Sequence, residues 1–578
     1  MPFFNLGLFG DDWLAIFRYS YYLDAPKHLG PYSTEYFNIF KYLLNAYGSQ
    51  DTIMAFLYKA FGSDSNIYFL LSYTLRVIAA LSLYFPASLL TKSKRAAWFA
   101  VFFFLFSSVG ISASSWVFNM PSYISIIFFS FMLFFSLKYF QNSEQFLNFG
   151  KKIKTLLLIY LFFALTFLAT PIRAHGLIPF LIFFEILMAL FTKRWNFIDS
   201  GLKISGFFVV YFLIYLLGFK ETISGSPASG LLIGLKHSFQ LISSGNFDFL
   251  FYPIATLGNI VVPDAFQPQG WRIENAGQYL FRIFLPIFFF YIVILFVAKH
   301  TISNLKTKSF YTGILLGTIW AILSLILLKI NPLVLANANN ASALLIGGYL
   351  LILVLNLFLY LKAETPLKGG LLIALGWTII SNLYPWWQAN TSAIFPTSHR
   401  YLIISGVGIS LLLAKIISLG KNRQSMLILL FIAVILQISH ASYIKLFLAV
   451  EYTTRNKETT KKIWSQMPYI PQVGKTSEPL IFYFQEDDTN EPILRNSVTF
   501  GFPPHMAILY KISEEERIPQ PMSDWKEVVS AVSDGKSIGK DKPISIESVY
   551  AFQLLGKDNL VNITGQTRQK LQELLSNP

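Results

Sequence analysis

The sequence predicts an all-α polytopic membrane bundle of about 12–13 transmembrane helices, with a small α/β domain at its C-terminal end. Three observations predict it. Of 578 residues, 54% are hydrophobic and only 13% are charged, against roughly 25% charged in soluble domains. The apolar residues gather in runs long enough to cross a bilayer. The composition then changes near residue 447: residues 448–578 hold 15 Lys/Arg and 17 Asp/Glu, whereas the first 447 hold 31 Lys/Arg and 14 Asp/Glu.

The mean hydropathy of +0.51 excludes a disordered chain, and the absence of Cys excludes a disulfide scaffold, thiol catalysis, Fe–S clusters and Cys-ligated zinc. The net charge of +15 resides in the apolar part. It therefore signals topology and anionic lipid rather than nucleic acid.

A spanning helix needs about 20 mainly apolar residues. Such runs lie near 67–90, 96–113, 120–140, 155–170, 176–192, 204–219, 279–298, 310–328, 343–361, 370–384, 401–419 and 426–447. Residues Met1–Phe9 are apolar but too short to span, and read as the last two turns of a further helix. They carry no basic region or small-residue cleavage site of a signal peptide. Six alternate short loops carry sixteen Lys/Arg, from Lys92 to Arg423, while the short loops opposite carry only Arg173, Lys329 and Arg400. The positive-inside rule makes the sixteen-residue side cytoplasmic. Residues 10–66, the loop 220–278 and the tail 448–578 then face the outside.

The segment 1–66 is more than a plain loop. In 33–47 the residues Tyr36, Phe37, Phe40, Leu43, Leu44 and Tyr47 share one helical face, as expected of an interfacial helix. Residues 51–61 repeat the pattern, and 230–252 is similar. The tail 448–578 mixes strand-like runs (PLIFYF, SVTFGF, HMAILYKI) with helix-like ones (SDWKEVVSAV, TRQKLQELLS), which predicts an α/β domain. It shows no phosphate-cradling glycine loop and no HExxH.

Acids are rare in the apolar part, so each carries information. Asp11 and Asp12, in Gly10-Asp11-Asp12-Trp13, stand where an apolar segment reaches the outer face. A carboxylate at a low-dielectric boundary has a raised pKa and can accept a proton from an attacking hydroxyl. The same residues also suit helix capping before WLAIFRY. Arg400, in Pro396-Thr397-Ser398-His399-Arg400-Tyr401, follows a stretch with Trp386, Trp387 and Asn390. It can fork onto a phosphate or snorkel at a helix end. Arg173 is a similar case, and Glu185 is a carboxylate inside an apolar run whose partner could be Arg194 or Lys193. His residues are scattered singly, so no His-rich metal site is expected.

Together these pieces resemble the GT-C superfamily of integral-membrane glycosyltransferases, which includes protein O-mannosyltransferases and the aminoarabinose transferase of lipid A. The resemblance covers roughly residues 1–420 by topology. It rests on Gly10-Asp11-Asp12-Trp13, on Trp116–Phe140, on Leu168–Leu187 with its basic-then-proline hairpin, and on Ser398-His399-Arg400-Tyr401-Leu402. The family implies inverting transfer of a sugar from a polyprenyl-phosphate donor to a glycan, lipid or protein acceptor on the outer face. On that resemblance Asp11 is the general base and Asp12 its second. Arg400, Arg173 and His399 are donor-phosphate ligands, and Trp13, Trp116 and Asn119 contact acceptor or sugar. The resemblance names no metal-ligand set and leaves a divalent metal open, since some relatives work without one. In the Arg173 hairpin, Ala174 stands where many relatives carry an acid. Competing readings are a flippase or transporter of lipid-linked glycan, an O-antigen ligase or polymerase, and a non-catalytic envelope scaffold. A transporter needs charged groups near the midplane of several spans, and here the spans are nearly charge-free apart from Arg76 and Glu185.

Overall fold

In the computed structural model of the protein, the described residues are 5–16, 48–141, 149–170, 174, 176–191, 197–214, 216, 236–237, 239–245, 248–267, 276–302, 305–330, 338–361, 365–388, 394–476, 480–486, 490–512, 517–539 and 542–576. Helices occupy part or all of each of the twelve apolar runs. Among the described residues, eight are long and apolar enough to cross a membrane: Ser65–Thr91, Val117–Gln141, Gly150–Ala169, Gly277–Thr301, Lys308–Leu327, Asn340–Tyr360, Arg400–Ser418 and Arg423–Arg455. Leu177–Leu190, Ser200–Ile214, Phe251–Val261 and Gly369–Ser381 are shorter apolar helices.

The bundle is apolar on its outer surface as well as inside. The Arg423–Arg455 helix exposes Leu427, Phe431, Ile435 and Ile438 along one face. In water such a stripe would be costly, and in a bilayer it is the lipid-facing side. The chain is an integral membrane protein. At the centre, Trp377 stands edge-on to Phe129, with centroids 4.7 Å apart, and its indole N–H donates to the Ile404 carbonyl at 3.0 Å.

The charges inside the bundle are matched by partners. The 96–113 run ends its helix early, at Phe106, because Arg76 takes the helix-end carbonyls. Its guanidinium donates to Phe104 O at 3.1 Å, Leu105 O at 3.2 Å and Ser107 O at 2.5 Å. Glu185 pairs with Lys203 at 2.9 Å, with both side chains buried; Lys193 and Arg194 lie outside the described residues. Lys203 therefore lies in the helix Phe197–Ile214 rather than in a loop. Lys415 Nζ donates to Leu90 O at 2.6 Å.

The segments 33–47 and most of 220–247 lie outside the described residues. The helix expected at 51–61 spans Gly48–Phe61. Residues 6–10 are not helical. Leu6 forms a bridge with Asn456, and Gly7 N donates to Arg455 O at 3.1 Å. Gly10 N donates to Phe500 O at 3.2 Å. The backbone polar groups here are satisfied by the C-terminal domain instead of by a helical ladder.

The C-terminal domain is α/β, with a four-stranded sheet ordered β2-β1-β3-β4. The strands are β1 Ile481–Gln485, β2 Gln520–Met522, β3 Val549–Leu555 and β4 Asn559–Asn562. β1 pairs in parallel with both β2 and β3, and β3 with β4 antiparallel, Phe552 facing Asn562. Phe482 and Phe484 pack against Phe502 on one face. Ile481, Tyr483 and Val549 cluster with Val528 and Leu571 on the other. The SDWKEVVSAV and TRQKLQELLS runs are helices, and PLIFYF is β1, as expected. SVTFGF and HMAILYKI are not strands. The first is a helical turn ending at Thr499, and the second lies mainly in the helix Phe502–Tyr510. Two prolines in the first helical turn, where proline's fixed φ suits helix entry, override the apolar alternation.

Candidate active site

The acidic turn is held from three sides. Asp12 is fully buried, and its carboxylate accepts from Phe118 N at 2.8 Å and from Phe9 N at 3.0 Å. The Phe118 bond ties the turn to Trp116–Asn119, which sits just before the Pro121–Gln141 helix. Asp11 is half-buried and opens the short helix of residues 11–16. Gly10 has φ +54°, and a Cβ there would lie 2.0 Å from a ring carbon of Phe500. Only glycine fits this turn against the C-terminal domain.

Burial pushes the Asp12 carboxyl up, while its two amide donors and the Arg455 guanidinium pull it back. The neighbouring Asp11 charge adds to the rise, and the net value is about 7.

Arg455 is the principal group that the sequence reading missed. It is buried at the end of the Arg423–Arg455 helix, with its guanidinium 4.8 Å above the Phe9 ring. It donates to Ser115 O at 2.5 Å and pairs with Glu451 at 2.5 Å. An apolar run that seemed to end at residue 447 hid it. Phe500 and His505 were missed as well. Phe500 packs on Phe9 at 5.0 Å and on Trp116 at 5.8 Å. His505 lies between Trp13, stacked at 4.0 Å, and Trp464 at 3.9 Å, and that burial pushes its imidazole down to about 4.

Arg400 comes to the same place. Its guanidinium sits 4.2 Å above the Trp116 ring and 5.1 Å from that of Tyr401. Its loop is fastened to the Trp116 side of the bundle. Gly110 N donates to Thr397 O at 2.9 Å and Ser112 N to Ser398 O at 3.0 Å. A Cβ on Gly110, whose φ is +68°, would lie 2.5 Å from the Ile403 backbone, so the two strands of chain touch directly. His399 caps the turn, its Nδ1 accepting from Tyr401 N at 3.3 Å, and stacks on Phe395. Asp11, Asp12, Trp13, Trp116, Asn119, His399 and Arg400 thus share one patch. Arg173 lies outside the described residues.

Several of these side chains are committed to packing. Trp13 donates its indole N–H to Leu8 O at 3.3 Å while one face covers His505. Asn119 is buried and donates to Trp116 O at 3.3 Å. Among the described residues no three His, Asp or Glu side chains group as a metal site. Asp12, fully buried, offers a cation no open face.

Solved structures similar to the chain include two membrane proteins. One is the archaeal oligosaccharyltransferase AglB from Archaeoglobus fulgidus, in complex with an inhibitory peptide and a dolichol-phosphate. It matches at 12% identity over 95% of this chain with a TM-score of 0.40, and the chain spans 66% of that protein's length. The other is ArnT from Cupriavidus metallidurans in the apo state, at 14% identity over 96% of this chain and 90% of its own, with a TM-score of 0.31. No protein-family signature and no curated relative matches the sequence.

Proposed function

We propose that the protein is a membrane glycosyltransferase. It moves a sugar from a polyprenyl-phosphate-linked donor to an acceptor hydroxyl at the outer face, with inversion. The observation that carries this reading is the convergence of an acid and a cation on one patch. The turn that buries Asp12 presents Asp11 half-exposed, and its neighbour Trp116 carries the Arg400 guanidinium.

In the reaction, Asp11 takes the proton of the acceptor hydroxyl as that oxygen bonds to the anomeric carbon. The bond from that carbon to the donor phosphate breaks on the opposite face. The electron pair leaves on the phosphate, whose charge Arg400 stabilises, with His399 beside it. Asp12 positions the turn through its two backbone amides and does not meet substrate. The charges within the bundle favour this reading over a transporter: Arg76, Glu185 and Lys415 are each held by internal partners.

The test is sugar transfer by the purified full-length protein in nanodiscs, with a panel of polyprenyl-phosphate monosaccharides. A positioned general base contributes about 10²–10⁴-fold. Asp11→Asn is expected to lose that much with the fold intact. Undiminished transfer by Asp11→Asn removes it as base. No turnover with any donor, together with protein-dependent movement of a lipid-linked glycan across liposomes, overturns the enzyme reading.

A further inference from the structure

We propose that the C-terminal domain carries a second binding site, for an acidic saccharide, in the open cavity lined by Tyr469, Lys475, Tyr510, Lys511 and Arg517. The cavity measures about 170 Å³, with Val473, Gly474 and Ile512 completing its lining.

Two features define what fits there. The first is an aromatic platform. The rings of Tyr469 and Tyr510 stack at 5.5 Å with 15° between their planes, and Tyr469 is 74% exposed. Tyr510 is fixed by its hydroxyl, which accepts from Ile470 N at 3.2 Å. An exposed ring stacked on a fixed one offers a flat face to the C–H side of a sugar. The second feature is charge. Lys475 and Lys511 are exposed and Arg517 is half-buried around the same cavity. Lys511 ends the Phe502–Tyr510 helix with φ +52°, a position where glycine is the unstrained choice. An inorganic anion has no use for the aromatic face, and a neutral sugar has none for three cations. A saccharide bearing carboxylate or phosphate uses both.

The location adds a role. The Phe502–Tyr510 helix touches the acidic turn through His505 on Trp13 and reaches the cavity at Tyr510. Five residues of helix advance about 7.5 Å, comparable to one or two monosaccharide units. The cavity is therefore placed to hold the acceptor or product glycan beside the transfer site. That role rests on the proposed transfer reaction, whereas the binding itself does not.

The experiment is calorimetric titration of the full-length protein in nanodiscs of neutral lipid. The probes are an oligogalacturonate, a maltooligosaccharide of equal length and inorganic phosphate. A parallel arm measures association with vesicles containing phosphatidylglycerol. The oligogalacturonate is expected to bind at least tenfold more tightly than either other probe. Tyr469→Ala and Lys511→Gly should each weaken it tenfold or more. Neither should disturb folding, because Tyr469 is exposed and glycine accepts the Lys511 backbone angle. No oligogalacturonate binding overturns the proposal. Phosphate binding as tightly, or binding unaffected by both variants, also overturns it. Vesicle association that needs Lys511 without saccharide binding would make the patch a lipid-headgroup surface instead. Saccharide binding that persists in Asp11→Asn separates this site from the fate of the transfer reaction.

Discussion

Replacing Asp12 by Asn tests the electrostatics of the acidic turn. The buried Asp12 carboxyl has a pKa of about 7 against 3.8 for an ordinary aspartate, and each unit is worth about 1.4 kcal/mol. The folded state therefore holds the Asp12 proton more tightly than the unfolded chain does. The stability linked to that proton is fully present below pH 4, falls as pH rises from about 4 to 7, and is gone above 7. The total is about 4 kcal/mol. Protonated Asp and Asn have nearly the same shape, and each keeps one acceptor for the Phe9 and Phe118 amides. The two proteins should therefore have similar stability at about pH 4. At pH 8 the Asn variant should be the more stable by up to that amount, because the two amide bonds to the ionised carboxylate are already contained in its shifted pKa. The assay is thermal unfolding of the full chain in nanodiscs across pH 4–8, native against variant. Parallel pH profiles for the two proteins would refute the argument, because Asp12 would then be ionised at no cost in the fold.

Removing the Arg455 charge by Arg455→Met should raise the Asp12 pKa further, since that guanidinium lowers it; the same pH series should show the midpoint moving up, and an unmoved midpoint would mean the two charges do not communicate. Gly10→Ala should destabilise by about 2–4 kcal/mol, from the left-handed backbone and the clash with Phe500; unfolding and limited proteolysis of the C-terminal domain report it, and a neutral result would show the turn is not pinned there. Glu185→Gln leaves Lys203 buried without its anion and should cost about 3–5 kcal/mol. Glu185→Leu combined with Lys203→Leu should cost far less, and equal losses in the single and double variants would show that the pair acts through packing alone.

Much of the bundle was legible because a spanning helix writes its length directly into an apolar run. Its boundaries were less so, since they depend on partners remote in sequence. The 96–113 run stops at Phe106 because Arg76, some thirty residues earlier, takes its last carbonyls. The acidic turn stood out because acids are scarce in the first 447 residues. Arg455, Phe500 and His505 did not, because they reach it only through contacts spanning more than 440 residues. The helix expected at Met1–Phe9 does not continue through residues 6–9 for a related reason: Leu6 and Gly7 bond to Asn456 and Arg455. In the tail, β2 is only three residues long and too brief to show a pattern. HMAILYKI has strand-like alternation but follows a helix-starting Pro-Pro pair.

The Arg423–Arg455 helix has 33 residues, about 50 Å of length against a hydrocarbon layer of about 30 Å. It runs without a break from lipid into the acidic turn, where its last residue lies on Phe9. It is thus a lever with its handle in the bilayer. Each degree of tilt moves the far end by about 0.9 Å over such a length. Helices tilt when the thickness of the membrane changes. The geometry around Asp11 is therefore coupled to the membrane that surrounds it, and activity should vary between short-chain and long-chain phospholipids with no change in any residue that touches substrate.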